Sequence, residues 1–266
     1  MRSLCQRIGL MGFVQLAVFC PALFSDERSE EIRNLEPGLP VELEDAFPIA
    51  DQTRQIQNTF HYLRTREHQD QFVLSPAIEG FFTPRWLFRV MVPFVFGDVE
   101  RKDLFGRDDR TGSGNPSLEI FHAINPEFGY VPAFAFSVRA DFPAAGATRG
   151  VDTELRLMAT KFLEASGTSR IHVNAAWLWN DDHYSDERDH RYLVAAGFSH
   201  WFEPSTVVIA SYLREQEIEK DQTNQMIELG LRQLFQPATI LSIGTGIGVG
   251  NTSTDLRVTL GLQYVF

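Results

Sequence analysis

Cysteine is nearly missing from this chain. Cys5 and Cys20 are the only two, and both lie within the first 25 residues. Beyond that stretch the chain has no disulfide, no thiolate nucleophile and no cysteine-based metal site. Positive charge is also scarce: 24 Lys and Arg stand against 35 Asp and Glu, a net charge of −11 at pH 7. That balance argues against a nucleic-acid partner. No run after residue 25 approaches the roughly 20 apolar residues of a membrane helix. If the remaining chain meets a membrane, it does so as strands.

The chain begins MRSLCQRIGLMGFVQLAVFCPALFSDE. Arg2 and Arg7 precede an apolar run from Ile8 to Phe24, and acidic sequence follows at once. This is the pattern of a secretory signal peptide over residues 1–25, with an uncleaved anchor as the alternative. Residues 26–53 are acidic and poor in aromatics, with eight Asp or Glu against two Arg between Asp26 and Asp45. We read them as a lead-in linker or a plug-like segment ahead of a domain spanning 54–266.

From residue 54 onward, apolar side chains recur at every second position. The last stretch, LRVTLGLQYVF, places Leu256, Val258, Leu260, Leu262, Tyr264 and Phe266 on one face. Arg257, Thr259, Gly261, Gln263 and Val265 fall on the other. Successive side chains of a strand point to opposite faces. The same alternation recurs in WLFRVMVPFVF, RIHVNAAWLW, ELGLRQLF and ILSIGTGIGVG. About twelve such segments can be drawn, each close to the roughly 10 residues that cross a bilayer when tilted. Connections alternate as well. TPR, NPEFG, EASGT, EPS and QPA are short and turn-like. The links at 97–116, 143–152, 181–190 and 215–223 are longer and charged. A secreted soluble sandwich has no reason to send its short turns to one end. We therefore expect an all-β, antiparallel, up-and-down transmembrane barrel of about twelve strands, with short periplasmic turns and longer extracellular loops. The aromatic pair Tyr264 and Phe266 then reads as a terminal recognition element for the barrel-assembly machinery.

The order VPAFAFSVRADFP, ELRLMATKFL, RIHVNAAWLW, YLVAAGFSHWF, ELGLRQLF, ILSIGTGIGVG and DLRVTLGLQYVF resembles the transporter-like outer-membrane barrels of the MetA-pathway of phenol degradation family. VELEDAFPI and LFRVMVPFVFGD extend the resemblance over roughly residues 40–266. The pieces are strand patterns rather than catalytic signatures. The stretch DFPAAG stands where the family often carries Pro-Thr-Gly. The resemblance implies uptake of small molecules, hydrophobic or aromatic ones among them.

If the apolar faces meet lipid, the opposite faces line a lumen. The candidate lining residues are Glu79, Arg89, Glu119, Arg139, Asp141, Glu154, Arg156, His172, Asn174, Glu228, Arg232 and Arg257. An Arg facing lipid at mid-depth costs about 2–4 kcal/mol, so these groups belong inside. There they either select solutes or form a static ion-pair network. Ser137, Ser242 and His172 share inward faces, but nothing in their spacing builds a nucleophile, base and orienting group. The loop DDHYSDERDH carries acids with His183 and His190; it reads as a solvated acidic loop before a metal site. GTGIGVG lacks the lysine and the strand–turn–helix setting of a phosphate loop. Its alternate glycines read as room in the barrel wall or lumen. Trp86, Trp177, Trp179, Trp201, Phe202, Tyr264 and Phe266 fall near strand ends, where interfacial girdles form.

The expectation is therefore a non-enzymatic channel or transporter in the cell outer membrane, in contact with outer-membrane lipid and passing a small-molecule solute. It needs no cofactor and no metal. A barrel enzyme acting on lipid or peptide, and a structural or adhesive surface barrel, are the alternatives.

Overall fold

The computed structural model describes residues 31–49, 53–66, 68–97, 111–143, 150–181, 183, 185–202, 205–250 and 252–266. The proposed leader at 1–25, the start of the lead-in and the middle of the 97–116 link lie outside the described residues.

One 3-10 turn, Glu31–Arg33, precedes fourteen strand segments. These are β1 (Gln55–Arg64), β2 (Asp70–Thr83), β3 (Trp86–Met91), β4 (Phe94–Gly97), β5 (Thr111–Ser113), β6 (Ser117–Asn125) and β7 (Ala133–Asp141). They continue as β8 (Asp152–Phe162), β9 (Ser169–Trp179), β10 (His190–Phe202), β11 (Thr206–Gln216), β12 (Thr223–Gln236), β13 (Thr239–Gly248) and β14 (Leu256–Val265). Every pairing is antiparallel, and successive strands are neighbours except β3 with β4 and β5 with β6. β1 pairs with β2 on one side and with β14 on the other, which closes the sheet. Arg54 and Phe266 exchange backbone hydrogen bonds of 2.9 and 2.8 Å at the end of that seam.

The fourteen segments make twelve staves. β2 pairs with β3 along one half and with β4 along the other, so β3 and β4 are one stave. The break falls at Val92 and Pro93, where proline has no N–H to give the ladder. β5 and β6 are likewise one stave, interrupted at Gly114–Pro116. The link expected at 97–116 is thus shorter than its sequence suggested, because Thr111–Ser113 already pairs with β4.

The strand ends that flank 84–85, 126–132, 163–168, 203–205 and 237–238 meet at one end, with both chain ends of the barrel. The strand ends that flank 65–69, 98–110, 142–151, 180–189, 217–222 and 249–255 lie at the other. The outer surface is an apolar belt. On β12, Ile227, Leu229, Leu231 and Phe235 all face out and are exposed, while Glu228, Gly230 and Arg232 face in and are buried. Aromatic groups stack near both rims: Trp86 on His122 at 4.0 Å, Trp177 on His190 at 5.2 Å, and Tyr264 on Phe266 at 6.1 Å. Trp201 departs from the expected girdle. It packs against the interior cluster, with the Arg33 guanidinium 3.1 Å above its ring. The alternation explains this, since Phe198, His200 and Phe202 take the outer face of β10 and leave Trp201 inward.

Candidate functional site

The inner wall carries its charges in rows. Across five adjacent staves the register sets Glu79 opposite Arg89, Arg89 opposite Glu119, Glu119 opposite Arg139, and Arg139 opposite Glu154. Signs alternate along this row, so every neighbour attracts. Arg89 lies 3.1 Å from Glu79 and 2.8 Å from Glu119. Arg139 lies 2.7 Å from Glu154 and 3.2 Å from Asp141, and Arg156 lies 2.8 Å from Glu154. Arginine suits these pairs because its planar fork keeps its charge and serves two carboxylates at once. On the facing wall Arg257 pairs with Glu228 across β13. The residue between them in the register is Gly246, and a side chain there would crowd Met226 and Glu228. The glycine leaves the ion pair its path.

Residues 31–49 lie inside this wall. Ile32, Leu35, Val41 and Leu43 pack in one buried cluster with Leu178, Ala195, Ile209, Leu213 and Met226 of the barrel. Ala46 and Ile49 pack in a second, with Leu87, Phe121, Ala133 and Met158. The wall also supplies the backbone partners that a strand would otherwise give. Asn174 donates from Nδ2 to the Glu44 carbonyl at 2.7 Å and accepts the Glu44 N–H at 2.7 Å. Thr160 Oγ1 accepts the Ala46 N–H at 3.0 Å, and Glu228 accepts the Glu42 N–H at 3.0 Å. Buried backbone groups must be paired, and polar wall residues do the pairing here. Glycines make the space: Gly230 and Gly244 face Pro40, Gly197 faces Leu43, and Gly261 faces Leu39. The chain enters beside the short links, reaches its innermost point near Pro40–Glu42, and returns.

The acids of the segment meet wall arginines. Glu42 lies 3.2 Å from Arg156 and 3.8 Å from Arg257. Asp45 lies 3.3 Å from Arg170, Glu36 lies 3.7 Å from Arg232, and Glu44 lies 3.9 Å from Arg89. Arg170 was not among the residues expected to matter. It lies in phase with His172 and Asn174 on β9, so the same alternation that placed them inward also places Arg170 there.

All twelve candidate lining residues thus have inward positions. The charged ones other than Arg232 gather in the rows described, whereas Arg232 and Asn174 meet the segment directly and His172 does so through Thr160. His172 is fully buried and lies 3.1 Å from Thr160 Oγ1 and 2.9 Å from Ser199 Oγ. Its two partners are hydroxyls, so it has a serine but no carboxylate to orient it as a base. Ser137 and Ser242 are buried on other strands. A second serine–histidine contact, Ser169 Oγ to His200 Nδ1 at 2.8 Å, lies by the 163–168 link. Hydrogen bonds from Thr168 and Ser169 hold the Glu164 carboxyl there below its ordinary range. Thr168 Oγ1 donates to that acid. At the opposite rim His190 lies 2.8 Å from Asp189 and stacks on Trp177.

A closed twelve-stave barrel with an apolar outer belt and a charged interior defines the outer-membrane barrel class. Solved structures agree. An outer membrane channel from Pseudomonas putida F1 superposes with a TM-score of 0.63 at 14% identity, covering 88% of this chain and 100% of that one. The NanC porin superposes at 0.55 with 7% identity, over 79% of this chain and 98% of that one. The KdgM porin does so at 0.54 with 9% identity, over 80% and 99%. No family model matches the chain, and no curated protein matches it. The likeness is one of fold.

Proposed function

We propose that the chain is an outer-membrane channel or transporter for small molecules, and that its inner charges form the solute path. The observation that carries this reading is the ion row Glu79–Arg89–Glu119–Arg139–Glu154 across five inner staves. A barrel needing only a filled core could use apolar side chains there at lower desolvation cost. Charges lining a pore set which ions and solutes pass. Twelve staves lie between small filled barrels and open sixteen-stranded porins, so the path is narrow. The fold it shares with channels and porins supports the same reading. The strand patterns that resemble the phenol-degradation barrels favour small aromatic solutes. The outer belt contacts outer-membrane lipid, and Tyr264 and Phe266 are recognised during barrel assembly.

The test is planar-bilayer recording of the refolded chain and of a chain lacking residues 26–53. Small or rare conductance steps are expected from the first and larger ones from the second. Silent membranes from both, with correctly folded protein, would sink the channel reading.

A further inference from the structure

We infer that the wall arginines facing residues 31–49 form a binding site for small solutes bearing several carboxylates, and that Glu36, Glu42, Glu44 and Asp45 are its tethered stand-ins. The inference rests on the channel reading for its physiological use, but the site itself is read from geometry.

Two kinds of ion pair share the interior. Pairs within the wall are close, such as Arg139 with Glu154 at 2.7 Å and Arg89 with Glu119 at 2.8 Å. Pairs between wall and segment are mixed: Arg156 with Glu42 at 3.2 Å and Arg170 with Asp45 at 3.3 Å are hydrogen-bonded, and three others are looser. Glu36 to Arg232, Glu42 to Arg257 and Glu44 to Arg89 are 3.7, 3.8 and 3.9 Å. Those three distances exceed a hydrogen bond. The segment brings its charges to the arginines without saturating them.

The arginines have donors to spare. Arg232 is fully buried, yet its Nε and Nη1 have no hydrogen-bond partner, and neither has Nη1 of Arg156. Buried guanidinium donors left unmade are costly. A free carboxylate can approach such a fork in a two-point geometry that an acid fixed to a folded backbone does not reach here. The three acids Glu42, Glu44 and Asp45 fall within four residues and meet Arg156, Arg257, Arg89 and Arg170. A compact polycarboxylate offers the same charges without the tether. By mass action such a solute displaces the segment, so that the cargo would open its own path.

The segment can be locked to report this. A Cβ on Gly261 would lie 3.1 Å from Leu39 Cγ. Across a disulfide, Cβ lies about 3 Å from the far sulfur, so Leu39→Cys with Gly261→Cys should join when the segment is seated. The experiment follows the oxidation rate of this full-length double variant in detergent. Citrate is compared with sodium chloride and sodium sulfate at equal ionic strength. At about tenfold excess over its half-protecting concentration, citrate should slow cross-linking about tenfold. Adding Glu36→Gln, Glu42→Gln, Glu44→Gln and Asp45→Asn should slow it without citrate, because the segment then seats less often. Bilayer current should rise on reduction of the disulfide and fall on oxidation.

Unchanged cross-linking in citrate would overturn the inference. So would sulfate acting as strongly as citrate, since the site would then be a general anion trap. Equal rates with and without the four acids would also overturn it, leaving the segment held by apolar packing. Citrate protection in a protein that never conducts would support the site and sink the channel reading instead.

Discussion

The carbonyl oxygen of Pro40 lies directly against the α-carbon of Gly244, on β13, and leaves no room for a side chain there. Gly261, on β14, is as close to Leu39, but the crowding atom is a side-chain methyl. A methyl can rotate away, and a backbone carbonyl cannot. Gly244→Ala should therefore loosen the segment by about 1–3 kcal/mol, the usual cost of overpacking, and Gly261→Ala by less. Limited proteolysis of the refolded barrel reads this directly. Residues 31–49 should be cut faster in Gly244→Ala while the barrel keeps its heat-modifiable mobility. Equal cutting of the two variants would count against the packed arrangement.

Depth in the membrane separates two outward residues of one strand. Leu229 lies mid-way along β12 and Phe235 lies one residue from its end by the short links. Both are exposed on the outer face, at 56% and 66%. Leu229→Arg should destabilise the reconstituted barrel by about 2–4 kcal/mol and Phe235→Arg by about 0–1 kcal/mol. Unfolding titrations in lipid would show it. Matching costs would mean that the belt is not the membrane span.

The seam between β1 and β14 gives Phe266 two separable roles. Its backbone exchanges hydrogen bonds with Arg54, and its ring stacks on Tyr264. Phe266→Ala keeps the backbone bonds and removes the ring. If the ring is what the assembly machinery reads, the variant should accumulate poorly in outer membranes yet refold normally into detergent in vitro. A matching loss in vitro would assign the ring to stability alone.

Strand alternation made the barrel legible. From Leu229, Leu231 and Phe235 against Glu228 and Arg232, period two already separates outside from inside. Two features are not periodic, so alternation could not place them. The Gly114–Pro116 stretch cuts one stave in two, so from sequence Thr111–Ser113 reads as part of the link and the link reads too long. Residues 31–49 have no strand pattern at all. Their place inside depends on complementarity between distant positions: Asn174 with Glu44, Thr160 with Ala46, Gly244 with Pro40. Acidic composition alone fits a solvated linker equally well. The glycines at 244 and 246 hinted at space but not at its occupant. Trp201 was misread for a related reason, since closeness to a strand end was weighed above its alternation with Phe202.

The ion row also makes selectivity a signed prediction. Arg89, Arg139 and Arg156 stand among Glu79, Glu119, Asp141 and Glu154. Replacing the three arginines with glutamine leaves the acids uncompensated and should turn the path toward cations. Replacing Glu79, Glu119 and Glu154 with glutamine should turn it toward anions. Breaking buried pairs costs about 3–5 kcal/mol each, so folding of both triple variants is checked by heat-modifiability first. Reversal potentials are then measured in a salt gradient, in the background lacking residues 26–53. Opposite displacements from the parent are expected, because lumen charges govern which ions enter. Displacement in the same direction by both variants, or none by either, would mean that ions do not pass this row. The charges would then be a framework that holds the staves together.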